Sequence, residues 1–296
     1  MDIIFAPSPN YRPRPADLPW QQVIQHLVIH YTEMNLTDSL NRLRSREADV
    51  SCHYVIDEEG AIYQLVADRH AAHHAGKSFW RGVSGLNATS IGIELVNGGH
   101  ANLDKDGQLP PYPGEQLASL IRLCHHLILQ YPIGALNVVG HSDIAPTRKI
   151  DPGEHFPWLL LAEAGIGLWP PLPDEAAAAA GYSAAAPAIA ASPAASLATS
   201  PKAGVPAVPL TAAQAADFAA GVQALRSIGY DVGGYDRGGY DRGGDPTAGE
   251  LDADAIAPVI LAFQRRWLPH HLNGQFDPPT LLRAQQIAEL YAGAGG

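Results

Sequence analysis

Two hydrophobic rhythms alternate along the first 169 residues, one with a period of two and one with the period of a helix. Gln25–Tyr31 (QHLVIHY) reads as a strand with His26, Val28 and His30 on one face. Thr37 is placed to cap a short helix over Asp38–Arg44. His53–Val66 holds two apolar runs around Glu58-Glu59-Gly60, the pattern of a hairpin. Ser90–Asn97 (SIGIELVN) predicts another buried strand. Leu117, Leu120, Ile121, Cys124, Leu127 and Ile128 then mark one face of a helix that ends before Pro132. Ala135–His141 (ALNVVGH) predicts a last strand, followed by a Pro-rich loop and a short helix near Trp158. Such alternation predicts an α/β domain built on a mixed sheet.

Both rhythms stop near Trp169. From Pro170 to about Leu210 the chain is almost entirely small residues and proline. Too few large apolar groups are present there to offset the entropy of ordering, so an extended linker is expected. Three helices follow. Thr211 caps the first, with Phe218, Val222, Leu225 and Ile228 inward. Ile256, Val259, Ile260, Phe263 and Trp267 stripe the second; Asp277-Pro278 starts the third, which turns Leu281, Ile287 and Leu290 inward. Between the first two lies a tandem GGYDRGGYDRGGD (Gly233–Asp245), expected to be a loop. The predicted organisation is a domain over 1–169, a linker over 170–209 and a small helical domain over 210–292.

Composition narrows the partners. A chain of 296 residues fits about two domains. Its formal charge of -11 disfavours nucleic acid and anionic membrane surfaces. Two cysteines, Cys52 and Cys124, build neither a disulfide framework nor a thiolate zinc site, and suit a reducing compartment. The start, MDIIFAPSPNYRPRP, shows no secretory pattern, and no apolar run nears the roughly 20 residues of a membrane span. The cytoplasm is therefore the expected compartment, with the periplasm or cell envelope as the alternative.

Among 13 histidines, two stand apart. His30 and His141 each end an apolar strand, where loops display functional groups. Asp151 follows His141 by ten residues. Two imidazoles and one carboxylate suit zinc and leave a fourth tetrahedral position for water; on spacing alone, structural roles for the histidines stay open. His70, His73 and His74 cluster in sequence, yet neighbours in an extended segment face opposite ways and cannot share one metal. Glu94 is an acid within an apolar strand, either a carboxylate turned outward at an edge or a general base beside a small neighbour, Gly92, that leaves room for substrate. Lys149 stands two residues before Asp151, where a cation can stabilise an oxyanion.

HLVIHYT, SCHYVIDEEGAIYQLV, HHAGKSFWRGVSGLNATSIGIELVN and VVGHSDIAPTRKIDPGEHFPW together closely resemble the AmpD/AmiD-type N-acetylmuramoyl-L-alanine amidases. The resemblance covers about Asp17–Trp169. It implies a central mixed β-sheet flanked by helices, one Zn2+ held by His30, His141 and Asp151, Glu94 as catalytic acid/base and Lys149 as oxyanion partner. It further implies hydrolysis between N-acetylmuramic acid, including 1,6-anhydro forms, and the L-Ala of the stem peptide, with peptidoglycan or muropeptides as partners. His53 and His74 match family motifs and are expected at the site wall or behind it; Trp80 and Asn87 are expected to border the sugar or peptide. Relatives that use a catalytic tyrosine carry it where this chain has Cys52, which is expected to be a packing residue. Gly82-Val83 replaces the Gly-Arg common in the family. The C-terminal helices are similar to a three-helix peptidoglycan-binding module through LAFQRRW (Leu261–Trp267) and LNGQFDPPTLLRA (Leu272–Ala284). Two rival readings are a peptidoglycan-recognition module without catalysis and a zinc peptidase acting inside the stem peptide.

Overall fold

A computed structural model describes residues 1–170, 211–233 and 253–294. The proposed linker, apart from Pro170, and the GGYDR repeat beyond Gly233 lie outside the described residues. Two compact units emerge: Met1–Leu103 with Leu109–Trp169, and Asp104–Gln108 with the residues from Pro170 onward.

The first unit is built on a six-stranded sheet. In chain order its strands are β1 (Ile3–Phe5), β3 (His26–Tyr31), β4 (Tyr54–Ile56), β5 (Ile62–Gln64), β9 (Ser90–Leu95) and β10 (Val138–Gly140), arranged spatially as β1-β5-β4-β9-β3-β10. The β4–β5 hairpin is antiparallel and every other pairing is parallel. Two small ribbons flank it, β2 (Tyr11–Pro13) with β6 (His70–Ala72) and β7 (Phe79–Trp80) with β8 (Val83–Ser84). The sheet is mixed, as the alternation of strand and helix patterns predicts.

The two faces of the sheet differ because the strands alternate. Leu27 and Ile29 of β3 and Ile91, Ile93 and Leu95 of β9 point to one side, where they join Leu120, Leu123, Cys124 and Leu127 of α3 (Gly114–Gln130). Those α3 positions recur at helical spacing and present one apolar stripe, each fully buried leucine contributing about 1.5–3 kcal/mol. Trp158 and Leu161 of α5 (Trp158–Glu163) extend the same core. Gln116 locks α3 to the strand ends by donating to the carbonyls of Ile56 at 3.0 Å and Val96 at 2.9 Å. On the opposite face a smaller cluster forms with Leu43 of α2 (Leu36–Arg44), Cys52, Val55 and Val96.

Several local expectations change. The cap of α2 is Asn35, not Thr37: Asn35 has extended backbone and its Oδ1 accepts from the Asp38 N–H at 2.9 Å, so the helix begins at Leu36. The last strand is shorter than Ala135–His141. A single 3-10 turn occupies Ala135–Asn137, and His141 opens α4 (His141–Ile144) rather than ending the strand. The strands β1 and β2 have no counterpart in the predicted elements.

The second unit contains α6 (Ala212–Ile228), α7 (Ala253–Trp267) and α8 (Pro278–Ala294). Thr211 and Gln214 form a capping box at the start of α6. The stripe on α8 is Thr280, Arg283, Ala284, Ile287 and Tyr291; Leu281 and Leu290 are half-buried. Gln264 of α7, fully buried, ties the turn after the helix: its Nε2 donates to Asn273 Oδ1 and Thr280 Oγ1, and its Oε1 accepts from the N–H groups of Asn273 and Gly274. No helix among the described residues is long and apolar enough to cross a membrane.

Candidate metal centre

Three parallel strands end side by side. His30 is in register with Glu94 across the β3–β9 pairing, and Gly140, at the end of β10, pairs with Ile29. His141, next after Gly140, therefore arrives beside His30, and the carboxyl ends of the strands deliver His141, His30 and Glu94 to one edge. Open α/β sheets present ligand sites at that edge. At Gly140 a Cβ would lie 2.7 Å from Cδ of Pro152, so the absence of a side chain lets the Asp151–Pro152 segment close in. The Asp151 carbonyl accepts from the Ser142 N–H at 2.9 Å, which fixes Asp151 across from the histidines.

The geometry is a small triangle of donor atoms. His30 Nδ1 lies 2.9 Å from His141 Nδ1, and Asp151 Oδ2 lies 3.0 Å from each. All three side chains are buried. His141 Nε2 donates to the carbonyl of Ala75 at 3.2 Å, which leaves its Nδ1 as a lone pair aimed into the triangle. Two imidazole nitrogens and a carboxylate oxygen at this separation fit a small tetrahedral cation bound at about 2.0–2.2 Å. Electrostatics agree. Burial, with His141 beside it, lowers the His30 pKa to about 4, so the ring is a neutral donor at pH 7. Burial alone would raise the Asp151 carboxyl, but His141 and His30 outweigh it and hold the group ionised, well below its ordinary value.

Glu94 is in a different state. Its Oε2 is buried with no hydrogen-bond partner, and burial followed by the proximity of Asp151 pushes its pKa well above the usual carboxylate value, with Lys149 opposing. Burial of this kind favours the protonated carboxyl over the carboxylate. A cavity of about 370 Å³ opens beside the triangle, lined by Arg12, Asp49, His74, Asn87, His141 and Lys149 among others. Its size is ordinary for a small-ligand site.

The other expected residues divide. Asn87 lines the cavity while its Oδ1 accepts from the N–H groups of His74 and Ala75. His74 lines it too, but its ring reaches behind His30, with Nδ1 3.0 Å from His30 Nε2. The space at Gly92 is therefore filled by the His74 ring, 2.4 Å from where a Cβ would stand, and not kept for substrate. His53 is fully buried away from the cavity; its Nδ1 accepts from the Gly92 N–H at 3.0 Å. Trp80 does not border the cavity. It is fully buried and donates from Nε1 to the Leu136 carbonyl at 3.0 Å. Cys52 is buried, donates to the Tyr54 carbonyl, and burial with Glu94 nearby keeps its thiol protonated. His73 pairs with Asp49, and His70 stacks on Tyr11, so neither joins His74 at one centre.

Two arginines that the sequence does not flag hold this architecture. Arg148 donates to the carbonyls of Ala75 and Lys77, pinning the loop that receives His141 Nε2. Arg14, 6% exposed, donates to the carbonyls of Asp68, Ala88 and Ser90 and so anchors the N-terminal segment to the start of β9. Both act through side chain to backbone bonds between distant segments, for which a single sequence carries no signal.

A family model described as N-acetylmuramoyl-L-alanine amidase matches residues 20–154, a span that includes His30, Glu94, His141, Lys149 and Asp151. N-acetylmuramoyl-L-alanine amidase AmiD of Escherichia coli is 44% identical over 154 residues, 50% of this chain and 55% of that protein. The 1,6-anhydro-N-acetylmuramyl-L-alanine amidase AmpD of the same organism is 43% identical over 109 residues, 37% of this chain and 55% of that protein. The chain thus spans about half the length of these curated relatives. Solved structures align further. The complex of Escherichia coli AmiD with the substrate anhydro-N-acetylmuramic acid-L-Ala-D-gamma-Glu-L-Lys aligns with a TM-score of 0.66 and 32% identity, over 95% of this chain and 93% of that one. AmpDh3 of Pseudomonas aeruginosa aligns with a TM-score of 0.65 and 28% identity, over 94% and 96%. With the family model covering the donor triangle and a 32%-identical structure aligned along nearly its whole length, the chain belongs to the N-acetylmuramoyl-L-alanine amidase family.

Proposed function

We propose that the protein is a zinc-dependent N-acetylmuramoyl-L-alanine amidase that cleaves the amide between the lactyl group of N-acetylmuramic acid, including 1,6-anhydro forms, and L-Ala of the stem peptide. The observation that carries this reading is the donor triangle of His30, His141 and Asp151 beside the Glu94 carboxyl group, whose buried Oε2 has no hydrogen-bond partner. Family membership and the anhydromuropeptide in the AmiD complex support the substrate. Zinc at these donors would supply Lewis acidity toward a carbonyl and lower the pKa of a water.

The chain's own groups do the rest. His30 and His141 each present a ring nitrogen to the site and are held by partners behind them, and Asp151 brings the negative charge that suits a dication. Glu94 removes the proton from the attacking water and returns it to the L-alanine nitrogen as the C–N bond breaks. Its Oε2 has no hydrogen-bond partner within the protein, which leaves that oxygen free to take up and return a proton. Lys149 brings positive charge to the carbonyl oxygen as charge gathers there, an effect of about 2.7–4 kcal/mol for one donor in comparable sites. The helices from 210 to 292 form a peptidoglycan-binding module on this reading, with the Gln264-centred turn as its keystone.

Treatment with a chelator, followed by zinc add-back, tests the assignment. Hydrolysis of an anhydromuropeptide is expected to vanish and return. Full activity in the metal-free protein would refute it.

A further inference from the structure

Behind the donor triangle runs a chain of hydrogen bonds with a fixed direction. It links His30 Nε2 to His74 Nδ1 at 3.0 Å, His74 Nε2 to Ser90 Oγ at 3.0 Å, and Ser90 Oγ to the Leu86 carbonyl at 2.6 Å. A carbonyl only accepts, so the single hydroxyl proton of Ser90 goes to Leu86. Ser90 must then accept from His74, which places the ring proton of His74 on Nε2. Its Nδ1 is a lone pair and must accept from His30 Nε2.

We propose that His74, backed by Ser90, is a positioning residue: it accepts the Nε2 proton of His30 and thereby leaves His30 Nδ1 as a lone pair facing His141 Nδ1 and Asp151 Oδ2. The inference rests on the metal-site reading above and specifies how that site is set before metal arrives. The seat of His74 is built for this. Its ring lies against Gly92, where any Cβ would collide, and stands edge-on to His30 with ring centroids 5.1 Å apart. Asn87 holds its backbone N–H, and His53 packs edge-on behind it at 5.6 Å. Arg14 secures the far end by donating to the Ser90 carbonyl at 2.8 Å. His141 reaches the same tautomer by a different route, through Ala75, so the two histidines owe their orientation to separate supports. A ring N–H held by an outer partner fixes the orientation of a ligating imidazole and raises its basicity.

The test is zinc affinity, measured on the full chain by competition with a chromophoric chelator, with thermal unfolding recorded for each variant. His74→Leu removes the acceptor and is expected to weaken zinc binding by about 10–100-fold. His74→Asn restores an acceptor oxygen where Nδ1 stood and is expected to recover affinity to within about threefold of the parent. Ser90→Ala removes only the group that orients His74 and is expected to cost about three- to tenfold; it carries the test if His74→Leu fails to fold. Parental affinity in both His74→Leu and Ser90→Ala overturns the proposal, as does an Asn variant as weak as the Leu variant. Asp151→Asn separates the two levels. If it loses zinc while the His74 and Ser90 variants keep it, the positioning role alone falls; if it binds zinc as tightly as the parent, the metal-site reading falls and takes this role with it.

Discussion

Two polar clusters, one built around buried Gln264 and one around buried His30, His141 and Asp151, differ in how their atoms are partnered. Around Gln264 in the C-terminal helices, the amide nitrogen and oxygen both find protein partners, in Asn273, Thr280 and Gly274. At the strand ends, three acceptors crowd within 3.0 Å of one another, and Glu94 Oε2 has no partner at all. Burying polar groups without partners costs free energy, so a fold keeps such an arrangement where a ligand completes it. The satisfied cluster holds the chain together; the unsatisfied one is where chemistry is proposed. Even on one strand face the contrast repeats. His26 is met by the carbonyl and hydroxyl of Thr89, while His30, four residues later, offers Nδ1 to a site with no proton to share.

The contrast breaks most sharply at Asp151. Asp151→Asn removes the charge that balances a dication and is expected to reduce muropeptide hydrolysis by at least about a thousandfold, together with zinc content measured by elemental analysis. A variant that kept both would place the metal elsewhere. Glu94→Gln is expected to keep zinc and the melting temperature but lower kcat by about 10²–10⁴-fold. Near-parental turnover would remove Glu94 from the proton transfer.

Smaller effects sharpen the other side. Gln264→Leu leaves the Asn273 and Gly274 N–H groups without their acceptor. It is expected to destabilise the C-terminal helices by about 2–3 kcal/mol in denaturant unfolding, with hydrolysis of a small soluble muropeptide unchanged. Loss of hydrolysis in that variant would contradict a purely structural cluster. His26 tests pH. Burial lowers its pKa from 6.5 to about 4, so the unfolded chain takes up a proton in that window and the folded one does not. Stability is therefore present above about pH 6.5 and falls as pH drops toward 4, by on the order of 1–3 kcal/mol from this group. His26→Asn is expected to flatten that slope; an unchanged slope would show that His26 does not contribute to it.

Much of this was legible in the sequence. The strands ending at His30 and running through Glu94 are long, apolar and regular, so their faces follow from a period of two. The motif resemblance then selects His30, His141 and Asp151 from 13 histidines and many acids. What was hidden depends on three-dimensional packing. β1 and β2 are three residues each and largely exposed, too short for any period to register. Gly92 reads as open space in a strand, yet a loop histidine 18 positions earlier fills it. Trp80 falls in a stretch that reads as a polar loop and so suggests a binding surface, while it lies on β7 with its ring in the core. Arg14 and Arg148 act on backbone carbonyls far away in sequence, and a carbonyl leaves no mark in the letters of a chain.

The proposed amidase reaction is tested most directly by mass spectrometry of the products formed from a defined anhydromuropeptide by the zinc-loaded protein. The expected result is free anhydro-N-acetylmuramic acid and an intact peptide beginning with L-Ala, formed only when metal is present. A peptide cut within the stem, or an uncut muropeptide bound by fully zinc-loaded protein, would contradict the assignment.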